Sequence, residues 1–525
     1  MTLARPLPLY AQPRTKRQRR WRTAAFIALG FWSFFTGAAF TFLPPSFIAP
    51  LLLPIVILAL LFIWALPDTS NAPTRTMGWL FFGFFLSLGL WPNYLAIALP
   101  GLPWITVERL FSIPLACVLL VSMSVSRNFL SKLREIISAT PIVWKFVVAF
   151  AVTQFISVAL SSDPFQSLQK FLISQIYWTS AFFVACYLFR RPGSVTAWVY
   201  ILAATTFFNC LIGVWEWKLQ AVPWAGHIPS FLKIEDESVQ RILAGQRRAA
   251  TGIYRIHSIF STSLGLAEYL ALTTPFLVHL VVESRHFWVR VAVGLLIPFV
   301  FLTIFRTDSR LGNVGFIASF ILYFGLWAIW RWRSDKRSIF GPALALTYPM
   351  LMVAFIAATM VVGRLHVMIW GNGADQFSTQ ARIAQAHASW KLIFTGPLGH
   401  GAGQGASVLG FRNAAGVLTL DSYYLTIALE YGILGFIFYY GLFLASASYA
   451  VREGLRTPRD ERSFIIPMAV SVAVFCIIKS VFSQQENHPI IFMIVGAICA
   501  LAYRNQSDPR CREVLPQPTI AQDSR

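Results

Sequence analysis

The sequence is poor in charge. Only 12% of its 525 residues are Asp, Glu, Lys or Arg, against about 25% in a soluble globular protein. Carboxylates are scarcest, with 22 Asp and Glu against 43 Lys and Arg and a net charge of +21. Cysteine is sparse as well. Cys117, Cys186, Cys210, Cys476 and Cys499 lie in apolar runs and Cys511 in a polar tail, with no CxxC pair. That pattern excludes a disulfide framework or a cysteine metal site. No internal repeat is visible, and no stretch resembles a soluble catalytic domain. The excess of positive charge could suggest nucleic acid. It falls in short blocks between apolar runs, however, which is how membrane orientation is written, so no nucleic-acid partner is expected.

Long apolar runs are what the chain has instead: 56% of residues are hydrophobic. About 20 apolar residues span a bilayer. Runs occur near 24–43, 46–66, 77–99, 109–125, 142–161, 171–189, 195–216, 260–282, 287–305, 312–330, 341–362, 422–449, 463–482 and 487–503. They predict an all-α membrane protein of about 12–14 transmembrane helices. Residues 1–23 form a basic tail, 24–503 the membrane domain and 504–525 a second tail. The N-terminal "RTKRQRRWR" resembles a signal-peptide n-region, but the following run is long enough to span and shows no clear cleavage site, so an uncleaved first helix is expected. Basic blocks recur at Arg75, Arg127 to Arg134, Arg190 and Arg191, Arg285 and Arg290, Arg331 to Arg337, and Arg452 to Arg462. This alternation predicts an even number of spans with both termini cytoplasmic.

Two long connections fall on the opposite, external side, about 217–258 and 363–420. Loops of this length are usually functional or disordered, and these hold too many aromatic and aliphatic residues for disorder: Trp224, Phe231, Ile234, Trp370, Trp390 and Phe394. "ADQFSTQARIAQAHASWKLIF" predicts a short external helix. External loops should be poor in Arg and Lys. The first nonetheless carries Lys218, Lys233, Arg241, Arg247, Arg248 and Arg255, and the second Arg364, Arg382, Lys391 and Arg412. A short turn between them, "FRTDSRLG", adds Arg306 and Arg310. Snorkelling to headgroups accounts for any one of them. Three clusters on one face favour a polyanionic ligand, because Arg grips phosphate bidentately and stays charged.

Several pieces resemble one family. "TGPLGHGAGQG" followed by "LDSYYLTIALEYGILG" looks like the C-terminal signature of the O-antigen ligase and O-antigen/exopolysaccharide polymerase superfamily. The matching residues are Arg382, Trp390, Pro397, Leu398, Gly399 or Gly401, Gly403, Asp421, Ser422, Tyr424, Leu425, Glu430, Gly432 and Gly435. "YRIHSIFSTSLGLAEYLALTTPF" is similar to the family's arginine and following helix. "RTDSRLGNVGF" is similar to its T-x-S-R-G helix start, with Leu311 where glycine is usual. The resemblance spans about 254–435. It implies a metal-independent glycosyltransferase of GT-C-like architecture without cofactors, in a bacterial inner membrane. The implied donor is a glycan on undecaprenyl diphosphate, with the external loops capping the site. The implied partners are membrane lipids, a flippase, and chain-length or export proteins. The family's diphosphate-gripping arginines carry over to Arg255, Arg310 and Arg382, and Arg306 stands beside them.

Ligases of the superfamily have a histidine just before x-Y-L, where this chain has Asp421. Asp there resembles the polymerases. The expected activity is therefore polymerisation of lipid-linked repeats, with ligation to lipid A core as the alternative and a lipid-linked oligosaccharide flippase as the second. Displacing a diphosphate from an anomeric carbon needs cations aimed at the leaving charge and a base for the acceptor proton. Asp421 is the base candidate, although Asp before "SYYLTIALE" also suits a helix cap. Glu430, a carboxylate inside a membrane helix, is a functional candidate by default or an arginine's partner, and the latter is preferred. The Gly turn with His400, Gly401 and Gly403 reads either as a tight loop needing positive φ or as a nest of N–H groups for phosphate or sugar. Tyr424 could stack on sugar or anchor the chain at the interface.

Overall fold

The computed structural model describes most of residues 69–508, apart from 99–103, 248–251, 335–338, most of 362–375, 413–415 and 459, with scattered residues before 69. The first two expected spans lie largely outside the described residues, as do Arg248, Arg364 and Trp370. The chain divides into two compact units, Met1–Ala72 with Leu120–Leu130, and Pro73–Leu119 with Ser131–Arg525. In the smaller unit, Ser126 Oγ and Asn128 Nδ2 donate to the Ser70 carbonyl at 3.3 and 3.1 Å.

The described chain is almost wholly helical. In order the helices are α1 (Thr74–Leu90), α2 (Val107–Val125), α3 (Arg127–Ser138), α4 (Pro141–Ala159), α5 (Pro164–Leu188), α6 (Ser194–Leu219), α7 (Glu237–Leu243) and α8 (Ser263–Glu283). They continue as α9 (Phe287–Arg306), α10 (Arg310–Ser334), α11 (Phe340–Val361), α12 (Gln376–Thr395), α13 (Gly405–Leu409), α14 (Tyr423–Gly454), α15 (Ile465–Lys479) and α16 (His488–Ser507). Eleven helices among the described residues are long and apolar enough to cross a membrane, and α1, at 17 residues, is nearly so. This is an all-α, multi-pass membrane protein. Sheet among the described residues is confined to two antiparallel ladders, β1 (Ala96–Ile97) with β2 (Ile105–Thr106) and β3 (Gln246–Arg247) with β4 (Tyr254–Arg255).

α8 forms the centre. Its membrane window is 89% buried, against 6% for α11, and it packs against α6, α9, α10 and α15. α14 packs on α4 and α15, and α16 on α5. Small residues set these approaches: a Cβ on Gly312 of α10 would stand 2.8 Å from Ala267 Cβ of α8. Backbone polar groups in hydrocarbon must be satisfied within the protein, so interruptions of membrane helices need partners. α5 carries a π-helical turn at Gln175–Thr179. α14 is broken at Gly432, whose φ of +69° is one a side chain would resist.

One element was not expected from the hydropathy runs. α3 lies where only a basic connection was foreseen, and it buries Phe129, Leu133 and Ile136. That 3–4 residue spacing belongs to an amphipathic helix. The short helix expected in the second long connection is present as α12.

Candidate functional site

The break in α14 explains the Gly turn. At the break, helix carbonyls lose their usual donors, and the turn 397–401 supplies replacements. His400 N donates to Leu429 O and Gly401 N to Glu430 O, both at 3.0 Å, and Ile433 N donates to Pro397 O at 3.0 Å. The contact leaves no room for side chains. A Cβ on Gly399 would lie 2.3 Å from Glu430 O, and one on Gly432 would lie 2.0 Å from Pro397 O. His400 Nδ1 also pairs with Leu429 O, at 2.9 Å. His400 and Gly401 thus spend their backbone N–H groups on the broken helix.

Clamped at that level, α14 starts at Tyr423 with Ser422 as its N-cap residue. Asp421 lies one residue earlier, and its carboxylate is held from the side. Gln385 Nε2 donates to Asp421 Oδ2 at 3.3 Å, and Asp421 N donates to Gln385 Oε1 at 3.0 Å. Gln385 is 1% exposed, so this two-point tie is shielded from water. It fixes α12 across the start of α14, with Ile393 packing among Leu420, Ala428 and Leu429. Arg382 stands one turn before Gln385 on the same face.

A second arginine arrives from the turn between α9 and α10. Ser309 Oγ caps α10 by accepting from Gly312 N at 3.1 Å, which places Arg310 at the first helical position. The third comes from the other long connection. Buried Glu216, at the end of α6, accepts from Tyr254 Oη at 2.9 Å, from His257 N at 3.0 Å and from Ser258 N at 2.7 Å. The segment so ordered carries Arg255, whose Nε donates to Thr307 O at 3.0 Å.

These three arginines meet. A cavity of about 430 Å³ is lined by Arg255, Arg310, Arg382, Asp308 and Asp421, with Thr379, Ser309 and the Val481–Gln484 connection completing its wall. Three guanidinium groups face two carboxylates. Arg382 Nε is buried without a hydrogen-bond partner. Burial pushes the Arg382 guanidinium below its usual pKa, and the charge on Asp421 opposes that shift. A buried donor lacking an acceptor costs about 1–3 kcal/mol, a cost that an anionic ligand removes.

The other expected residues lie elsewhere. Arg306 stacks its guanidinium 4.0 Å over the Trp217 ring. Tyr424 Oη donates to Cys476 O at 2.6 Å, and its ring packs against Tyr440 and Phe436. Gly403 and Glu430 line a second cavity, of about 400 Å³, together with Glu108, Lys170, Tyr177 and Glu486. The cation there is a lysine, where an arginine partner for Glu430 was expected. Gln385 and Glu216 went unnoticed in the sequence. Glu216 left a signal, as a carboxylate at the end of an otherwise apolar run. Gln385 left none.

The fold and the site define a multi-pass helical membrane protein with three arginines on one cavity. Residues 294–440 match the family model described as O-antigen ligase, which supports the resemblance to the superfamily of O-antigen ligases and polymerases. The matched stretch contains Arg310, Arg382 and Asp421, whereas Arg255 precedes it. It supports a membrane enzyme of glycosyltransferase-like type, and the family implies lipid-linked glycans as substrates, with membrane lipids as surroundings. A search of curated proteins found no match.

Proposed function

We propose that the protein polymerises oligosaccharide repeats carried on undecaprenyl diphosphate, at the outer face of a bacterial inner membrane, with both termini cytoplasmic. The observation that carries this reading is the convergence of Arg255, Arg310 and Arg382 on one cavity with Asp421. In the proposed reaction the acceptor hydroxyl oxygen bonds to the donor's anomeric carbon as the bond from that carbon to the diphosphate oxygen breaks. The electron pair leaves with the diphosphate, and the added negative charge meets the arginines. Fixed cations aimed at developing charge act strongly because they need no reorganisation. The acceptor proton passes to Asp421 and from there to water. The Gln385 clamp holds the Asp421 carboxylate in place for that transfer.

No divalent metal is required in this scheme. Purified protein is expected to polymerise in excess chelator, and a metal-reversible loss of activity would overturn that part.

A second reading has its own support. The matching family model carries the description O-antigen ligase, which favours transfer of finished glycan to lipid A core. Asp421, where the ligase pattern has histidine, favours polymerisation. Glycan analysis of a deletion strain separates the readings. Single repeats on the surface indicate a polymerase, and intact polymer left on its lipid carrier indicates a ligase. Lipid-linked repeats retained at the cytoplasmic face indicate a flippase and overturn both.

A further inference from the structure

The second cavity opens at the same end of the bundle as the first, since Ser483 lines both. Between them runs the connection from α15 to α16, which is pinned on both sides. Buried Lys479 pairs with buried Glu268 at 2.8 Å and donates to the Gln484 carbonyl. Glu486 Oε1 accepts from Asn93 Nδ2 at 3.2 Å and from Ser261 N at 3.1 Å. The two cavities therefore adjoin at Ser483, with the connection from α15 to α16 lining both.

Their chemistry differs. The first presents three arginines. The second presents the carboxyl groups of Glu108, Glu430 and Glu486, the amides of Asn93 and Gln485, a single lysine, and the aromatic rings of Tyr177, Trp178 and Tyr431. Tyr177 and Trp178 sit in the π-helical turn of α5. Such turns are rare and occur frequently at functional sites. Trp178 is held by stacking on His488 at 4.8 Å. Glu430 is only 4% exposed, and its Oε1 accepts from Gly405 N over a long 3.4 Å. An intramembrane carboxylate at a cavity wall is expensive and marks a functional position by default. Carboxylates that accept from hydroxyl groups, beside an aromatic face, suit a neutral polyhydroxyl compound. A phosphate or a uronate would find a single lysine there against three carboxyl groups.

We infer that this second cavity binds the neutral terminal sugar of the acceptor glycan, side by side with the diphosphate compartment. The inference rests on the glycosyl-transfer reading and adds a location and a charge class for the acceptor. The acceptor oxygen must approach the anomeric carbon from the side away from the departing diphosphate. A cavity that adjoins the arginine cavity at Ser483 provides such an approach, with the reacting hydroxyl reaching across to Asp421. Glu430 and Tyr177 are assigned here as acceptor-binding residues, and the glycine at 403 keeps that rim narrow, where an added Cβ would stand 3.2 Å from the Lys170 side chain.

The test uses the full-length protein in lipid nanodiscs with defined probes: the methyl glycosides of glucose, galactose and N-acetylglucosamine, with glucuronic acid as the charged comparison. Saturation-transfer NMR is expected to detect millimolar binding of at least one neutral glycoside and none of glucuronic acid. Excess undecaprenyl diphosphate should leave that signal in place, because the lipid fills the other compartment. Glu430→Gln and Tyr177→Leu should each weaken sugar binding about tenfold, the scale of one hydrogen bond or one packing contact. Both variants should still bind undecaprenyl diphosphate, which shows that the bundle is intact. No neutral probe bound, displacement by undecaprenyl diphosphate, or wild-type binding in both variants overturns the inference. A deletion strain with normal polymer overturns the glycosyl-transfer reading while leaving a measured sugar site standing.

Discussion

The two ends of the bundle use arginine in opposite ways. At the end where α6 begins and α15 starts, arginines close on carboxylates. Arg462 pairs with Asp460 and Asp508, both at 2.8 Å, and Arg504 with Glu461 at 2.9 Å. Glu461 also accepts from Gly193 N, Val195 N and Thr196 N at 2.9–3.1 Å, so that it satisfies the start of α6. There the charge completes the fold. At the cavity end, three arginines from three separate segments converge on one space beside Asp308 and Asp421. Counting basic residues does not separate the two ends; their surroundings do, with ion pairs at one end and a shared cavity at the other.

The comparison breaks outright if the cavity end faces the cytoplasm. Ser407 is the exposed residue of α13 at the cavity end, and Ser334 closes α10 at the other. A cysteine at 407 should react fully with an impermeant thiol reagent in intact cells, or in spheroplasts where an outer membrane intervenes, and one at 334 should not. The reverse pattern inverts the orientation and removes the case for an outer-face donor.

Next in size is Asp421→Asn. The substitution is nearly isosteric and can still accept from Gln385, so α12 should stay docked. If Asp421 takes the acceptor proton, the rate should fall by about 10²–10⁴-fold with normal protein in the membrane. Ser422 holds the N-cap position of α14, so loss of a helix cap does not explain such a fall. Unchanged polymer from this variant would remove Asp421 as the base.

Arg310→Lys and Arg382→Lys sharpen the comparison directly. Lysine keeps the charge and loses the planar fork. A charge-assisted hydrogen bond contributes roughly 1.5–3 kcal/mol, so each variant should lose about ten- to a hundredfold in rate while inserting normally. Polymer chain length in a complemented deletion strain is the measurement. Wild-type polymer from both variants returns these arginines to the role of topology residues.

How much of this was legible depended on the scale of the signal. Membrane helices announce themselves, because a run of about twenty apolar residues has no other common use, and 26-residue α6 or 21-residue α8 could be marked to within a few residues. α3 was missed because its pattern is amphipathic within a basic block. The arginines drew attention because they violate a charge rule, and the resemblance singled out Arg255, Arg310 and Arg382. That these three meet, whereas Arg306 turns away to Trp217, depends on how α6, α10 and α12 dock. The Gly turn was visible as a motif, but its structural task depends on the break at Gly432, some thirty residues along. A glycine directly after "LEY" in a membrane helix was the available clue. The reciprocal tie between Gln385 and Asp421 had no clue at all, since a glutamine on a helix of mixed polarity, without an apolar stripe, reads as solvent-facing.

The smallest expected effect belongs to the paired end, and it tests whether the contrast is real. Arg504 meets Glu461 through one nitrogen, at 2.9 Å, with side chains 16% and 12% exposed. A point charge can serve a contact of that kind, so Arg504→Lys should keep most of it. Because the charge and the single contact are both kept, a thermal shift of a few degrees at most is expected in purified protein. Polymer length should match the wild type. Glu461 would still accept from the start of α6, which keeps that helix in place whatever the lysine does. Set beside Arg382→Lys, the same chemical change should therefore cost activity at one end and almost nothing at the other. If both variants shorten the polymer equally, the arginines of the cavity act through general stability. The distinction between a charge that completes the fold and a charge that waits for a ligand then fails.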